Sequence, residues 1–194
     1  LSEPYVLLVH AYAGETTGHW QSWLAGRLAH QGVRVDLLTF TDPDKPVQDY
    51  WLAELGEHLD AAPADADRIV LAHGVGAALW LYHAAARPSR SRRVERVLLV
   101  APPGPEWHEA NVRAFEPAPV DRVGIAQAAA TTRLVTSDND PTRSVDQARA
   151  LAQELLIEWD VIPGAGRFDE ESGYGHWPAV LDWTRSGTTP LTPR

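Results

Sequence analysis

The chain has 194 residues, with 17 lysines and arginines against 26 aspartates and glutamates and no cysteine. Its net charge of −9 speaks against nucleic acid or an anionic membrane as partner. The lack of cysteine excludes disulfides, a thiolate nucleophile and a Cys-bound metal, and fits a cytoplasmic protein. No apolar run reaches the roughly eighteen residues that a membrane span needs, and the length suits one domain with a full core.

Val6–His10 is a short apolar run and reads as a buried strand. A Gly/Thr loop follows over residues 11–18. Trp20, Trp23, Leu24 and Leu28 have helical spacing over Trp20–Gln31. Val33–Leu38 is a second strand, Asp42-Pro43-Asp44-Lys45-Pro46 a loop, and Val47–Leu59 a second helix. Arg68–Ala72 and Val94–Val100 are strands separated by a helix over Gly76–Ala86. Residues 101–125, holding Pro102, Pro103, Pro105, Trp107 and Pro117, are long for a connection and suggest a small cap or an irregular crossover. Leu134–Thr136 ends a fifth strand, Ser144–Leu155 is a helix, Glu158–Ile162 a sixth strand and Trp177–Trp183 a last helix. Arg185–Arg194 is polar and rich in Pro and Thr, as expected of a loose tail.

Strands alternating with helices predict an α/β fold, a doubly wound parallel sheet in the order 2-1-3-4-5-6 with helices on both faces. Residues 1–184 then form one domain. The loops after the first, third and fifth strands open on the carboxyl edge of the sheet, where ligands bind in such folds. The single lysine, Lys45, against many arginines and alanines is the composition expected from a GC-rich bacterial genome. The eight tryptophans suggest, besides core positions, an aromatic pocket wall.

The most informative stretch is Ile69-Val70-Leu71-Ala72-His73-Gly74-Val75-Gly76. An apolar strand runs through a sharp turn into a helix, the setting of the small-x-Ser-x-Gly nucleophile elbow. The small residues that let the turn close are present, and glycine stands where the serine belongs.

From this point the chain resembles the small α/β-hydrolases of the retinoblastoma-binding protein 9 type, over nearly all of residues 5–183. The family's first strand ends in His-Gly or Pro-Gly, matched by His10-Ala11-Tyr12; its His-Trp pair by His19-Trp20; and its Ala/Gly-His-Ser-x-Gly elbow by Ala72-His73-Gly74-Val75-Gly76. Its acid loop matches Ser137-Asp138-Asn139-Asp140-Pro141, which puts Asp140 at the triad acid. Its last loop matches Gly164 to Pro178, with Arg167 at the position of the catalytic histidine. His176 falls later, in the Gly-x-Trp-Pro element, and does not align with that histidine. The resemblance thus implies the fold and a triad of which only Asp140 remains, with an alanine at position 11 of the oxyanion loop.

Two readings of Gly74 stand side by side: it relieves a turn that strains a serine, or it enlarges the pocket floor. The amide of Val75, at a helix N-terminus, points at the site in either case and suits an anion or a polarised carbonyl. Arg167 is expected to form a salt bridge with Asp140; alternatively its planar donors hold a ligand carboxylate, phosphate or enolate. Always protonated, it is a poor base. His10 is expected to be a buried histidine bonded to backbone, or else an acid–base group; Tyr12 offers a phenol. Ala11, Trp107 and His176 complete the expected ligand-binding set. His73 is expected to pack, His19 to start its helix, and Asp138 and Asn139 to form turns. No cluster has metal-ligand spacing and no loop has a nucleotide fingerprint, so no cofactor is expected.

Three functions follow as expectations. The first is a cofactor-independent, non-hydrolytic cyclase, isomerase or lyase acting on a small, largely apolar molecule. The second is a non-catalytic pseudo-hydrolase that binds a ligand or partner. The third is a residual esterase with a recruited nucleophile or base. The sequence leaves the oligomeric state open.

Overall fold

The computed structural model describes residues 3–12, 14, 16–86 and 92–194. Positions 13 and 15 of the expected 11–18 loop lie outside the described residues. The strands are β1 (Pro4–Val9), β2 (Arg34–Leu37), β3 (Asp67–His73), β4 (Val94–Val100), β5 (Ala129–Ser137) and β6 (Glu158–Ile162). They form one six-stranded sheet in the order β2-β1-β3-β4-β5-β6, with every pairing parallel. The helices are α1 (Trp20–His30), α2 (Gln48–Ala61), α3 (Val75–Ala86), α4 (Arg122–Ala128), α5 (Val145–Leu155) and α6 (Pro178–Ser186).

Each face of the sheet carries its own core. On one, α2, α3, α4 and α5 bury Trp51, Leu55, Leu79, Ile125 and Leu155 against the strands. On the other, α1 and α6 bury Trp20, Leu24, Val180 and Trp183. Each such side chain stabilises the fold by about 1.5–3 kcal/mol relative to exposure. The central strands are apolar on both faces because both are covered, and they read as continuous hydrophobic runs.

The tryptophans serve mainly the core: Trp20, Trp51, Trp80, Trp177 and Trp183 are fully buried. Trp20, Phe168, Tyr174 and Trp177 pack ring against ring. Among the described residues no tryptophan lines the cleft at the elbow, and Trp107 borders the groove beside the acid loop.

Two expectations need correction, and one expected strand runs further back than its apolar end. Residues 101–125 are not one irregular stretch: a 3-10 helix covers Ala110–Phe115 and α4 starts at Arg122. The fifth strand ends in the expected apolar stretch and extends back to Ala129, its first half being partly exposed and less apolar. The carboxyl tail is not loose. Leu191 is buried, Trp177 donates its indole N–H to the Thr192 carbonyl at 2.8 Å, and the Arg194 guanidinium lies 6.0 Å from the Tyr174 ring centre. No helix among the described residues is long and apolar enough to cross a membrane.

Candidate functional site

β3 ends at His73 and α3 begins at Val75, so Gly74 alone makes the turn, at φ +57°. That left-handed conformation favours glycine. The Gly74 amide donates to the Val100 carbonyl at 2.8 Å, and its carbonyl accepts from Ala77 and Ala78 to start α3. A side chain at residue 76 would collide with the carbonyl oxygen of His10 and lie 2.8 Å from that of Val9. The last glycine of the elbow therefore exists so that α3 can pass close to the end of β1. The elbow is intact as architecture.

Its chemistry is not. A Cβ on residue 74 would sit 3.0 Å from the Cβ of Ala11. The space beside the missing hydroxyl is thus partly taken by a methyl group, which favours the relieved turn over the enlarged floor among the two readings of Gly74. Gly74 and Val75 are buried and do not line the cleft in front of them. That cleft, about 270 Å³, is bordered by Ala11, Tyr12, His73, Arg167 and Asp169, among others.

The loop that would carry the catalytic histidine is held as firmly as the elbow. Asp138 accepts from the Gly164 amide at 2.7 Å, and Asn139 from Gly166 at 2.7 Å. The Ser137 hydroxyl accepts from Ala165 at 2.9 Å and donates to Asn139 at 2.6 Å. Three side chains of the acid loop thus clamp the backbone of the last loop, which gives the expected turn-forming residues a larger job. His73 completes the clamp, its Nε2 lying 2.7 Å from the carbonyl of Arg167.

The side chain of Arg167 departs from expectation. No ion pair joins it to Asp140. Its guanidinium lies over the ring of Trp107, 5.2 Å from the centre. Asp140 instead takes two hydrogen bonds at 2.8 Å on Oδ1, from the amide and hydroxyl of Thr142, and its buried Oδ2 has no partner. Burial pushes the Asp140 carboxyl up; the Thr142 hydrogen bonds and the charges of Arg167 and Arg143 only partly offset this. Arg143, buried, donates to the carbonyls of Pro102 at 2.9 Å and Pro103 at 2.5 Å. It ties the acid loop to the chain leaving β4.

Asp140 and Trp107 border a separate open groove of about 450 Å³ together with Glu106, His108 and Arg143. Arg167 borders the cleft on the elbow side. The Arg167–Trp107 pair therefore joins the cleft on the elbow side to the groove that holds the acid.

The remaining expected residues divide. Tyr12 borders the cleft, and its hydroxyl accepts from Asn111 at 3.0 Å. His10 is buried against Phe40 and Trp51; its Nε2 accepts from the Phe40 amide at 3.1 Å, so Nδ1 carries the proton that reaches the Ala11 carbonyl at 2.7 Å. Both nitrogens are bound to backbone, which is the first of the two roles expected for His10 and leaves the alternative acid–base role unavailable. His19 caps α1, accepting from the Gln21 amide at 3.2 Å. His176 is exposed, lies edge-on to Trp23 and borders neither the cleft nor the groove. Its expected place in the ligand-binding set is corrected accordingly.

Sequence reasoning missed Asp169, Glu170 and Glu171, which form the acidic rim of the cleft. Glu170 accepts from the Thr16 hydroxyl. Burial raises the Asp169 carboxyl, but the Ser172 hydrogen bonds and the charges of His73 and Arg167 outweigh it, holding the group below the usual carboxylate range. The three acids follow directly on Arg167 and Phe168 and so belong to the same loop, which was the available signal. No serine or threonine hydroxyl is bonded to a histidine, and no cluster of three or more metal-ligating side chains occurs, among the described residues.

An elbow of this geometry at the carboxyl edge of a parallel 2-1-3-4-5-6 sheet defines an α/β-hydrolase-fold protein. The chain belongs to the serine hydrolase family, whose model matches residues 6–185. It is 24% identical over 181 residues to the Bacillus subtilis (strain 168) protein YdeN, covering 91% of this chain and 92% of YdeN. The crystal structure of the B. subtilis ydeN gene product superposes with a TM-score of 0.80 at 23% identity, covering 92% of this chain and 95% of that one. A YdeN-like hydrolase from Pectobacterium atrosepticum follows at 0.75 and 22%, covering 94% and 89%.

Proposed function

We propose that this protein is a serine hydrolase relative that has lost hydrolysis and binds a small molecule without forming a covalent intermediate. One observation carries the reading. The nucleophile position has no side chain and faces the methyl of Ala11, so no hydroxyl can be delivered there without moving the loop after β1. The rest of the cleft agrees. Arg167 donates and attracts but does not accept a proton. Asp169 is held ionised, which makes it a weak base. His73 and His19 are engaged in holding the last loop and capping α1.

The ligand this cleft suits has both donors and acceptors. Tyr12 and Arg167 offer donors, while Asp169, Glu170 and Glu171 accept. That lining is more polar than the largely apolar molecule expected from sequence would require. A second reading, a non-hydrolytic cyclase, isomerase or lyase, draws on Asp140. A buried carboxyl with a raised pKa and one unpartnered oxygen is the kind of group that transfers protons.

The test has two parts. The protein is expected to resist fluorophosphonate labelling and to leave p-nitrophenyl esters intact; labelling that maps to a serine ends the proposal. Native mass spectrometry after incubation with bacterial extract is expected to show a retained small molecule, released by Arg167→Gln or Tyr12→Phe. If that molecule is chemically altered by the wild type and not by Asp140→Asn, the second reading replaces the first.

A further inference from the structure

We propose that a slot at the opposite end of the sheet is a second binding site, suited to a small amphipathic carboxylate. Its origin is a mismatch of strand lengths. β5 has nine residues and β6 five, and their pairing begins with Arg133 opposite Glu158. On the other side β4 pairs with β5 from Ala129 onward. Residues Ala129–Thr132 therefore have a neighbouring strand on one side only. A cavity of about 480 Å³ lies along that overhang, far from the elbow, at the end where the strands start.

Its walls are mixed in a way that specifies a ligand. Ile125 of α4, Leu155 of α5 and Ile157 supply an apolar surface. Trp183, near the end of α6, also borders the cavity; it is 1% exposed and its indole N–H has no acceptor. The Thr132 hydroxyl is likewise buried and unpartnered. Both polar atoms are closed off from solvent and lie behind the cavity wall. Trp20 and Trp80 also bury an unpaired N–H, but neither borders this cavity.

The charge sits at the same end. Arg96 donates to the carbonyls of Thr184 and Arg185, which brings the start of β4 against the end of α6. Arg93, just before β4, borders the cavity and is exposed, and its guanidinium makes no ion pair or hydrogen bond among the described residues. The other arginine there, Arg133, is already held by Asp160 and Glu158. The Arg93 charge attracts an anionic oxygen, and a short hydrocarbon body covers the apolar wall, with Trp183 beside it as a reporter.

The test is a titration of the ¹⁵N-labelled protein with decanoate, following the Trp183 indole resonance, assigned by its loss in Trp183→Phe. A saturable shift of that resonance is expected. Arg93→Gln, an exposed substitution, is expected to weaken binding by about fivefold or more, decanol to bind more weakly than decanoate, and Ala126→Trp to fill the slot and abolish the shift. A Trp183 resonance that decanoate leaves unmoved overturns the site. Equal affinity for decanol, or an Arg93→Gln titration like that of the wild type, overturns the carboxylate assignment. Serine-probe labelling at the elbow bears on neither result, so this proposal fails or stands apart from the one above.

Discussion

The methyl of Ala11 and the absent side chain of Gly74 are complementary: a Cβ on residue 74 would lie 3.0 Å from the Ala11 Cβ. Each residue therefore limits what the other position accepts. With glycine at 74, an alanine at 11 is tolerated; with a serine at 74, the loop after β1 would have to give way by a few tenths of an ångström. Rebuilding the triad residue types with Gly74→Ser and Arg167→His is accordingly expected to yield only weak esterase activity. The serine also takes up φ +57°, which costs about 1–3 kcal/mol for a non-glycine residue. Adding Ala11→Gly is expected to raise hydrolysis of p-nitrophenyl acetate by up to about 10²-fold, the worth of one oxyanion donor, and to recover part of the lost melting temperature. Full activity in the double variant alone would show that the site stayed poised for hydrolysis.

Arg167 leans on Trp107 and not on Asp140, and the two arrangements differ in energy. A broken buried ion pair costs about 3–5 kcal/mol. A half-exposed guanidinium on an indole contributes about 0.5–1 kcal/mol. Arg167→Ala is therefore expected to lower the stability measured by urea unfolding by less than about 1 kcal/mol. A loss several times larger would mean that Arg167 pairs with Asp140 in solution.

The sheet order was legible because its strands are buried on both sides, so apolar runs such as Val94–Val100 stand out without any alternation to decode. The elbow was legible because its glycines answer to backbone geometry. What escaped detection lacked such a signature. α4 is short and partly exposed, so its Ile125 gives no helical stripe. The first half of β5 has few apolar residues, and up to Thr132 it has a neighbouring strand on one side only. The direction of Arg167 depended on Trp107, a residue of the β4–α4 connection whose path no local pattern predicts. His10 was ambiguous from sequence, since a histidine after an apolar strand is compatible with either backbone bonding or chemistry, and only Phe40 and Ala11 decide the case.

Gly76 offers a sharp check on the close passage of α3 over β1. Helix propensity alone favours alanine over glycine by about 1 kcal/mol. At this position the new methyl would press into the carbonyls of His10 and Val9. Overpacking of that kind costs about 1–3 kcal/mol, more when the neighbour is backbone. Gly76→Ala is expected to be destabilising despite its better propensity. A variant that melts at or above the wild-type temperature would show that the helix and strand are further apart.

Glu116 gives the chain a stability that depends on pH near neutrality. It follows the 3-10 helix, and both of its carboxylate oxygens are buried without a hydrogen-bond partner. Burial pushes its carboxyl up to about 7, against the pull of the Arg143 charge and the nearby Ala118 amide. An acid whose pKa is higher in the folded state binds a proton more tightly there, so its contribution is intact below about 4.5 and is lost as pH rises through about 7. His83 runs the other way: burial lowers it to about 4, and its effect on stability improves as pH rises from about 4 to 6.5. The two overlap, so the wild-type curve alone does not isolate either group. The difference between wild type and Glu116→Gln does. The two proteins are expected to have similar stabilities at pH 4.5. By pH 8 the variant is expected to be more stable by about 1–2 kcal/mol, a figure reduced for the partial solvent exposure of the group. Urea titrations at half-unit pH intervals provide the measurement. Parallel stability curves across that range would mean that Glu116 is solvated and ionises as freely in the folded chain as in the unfolded one.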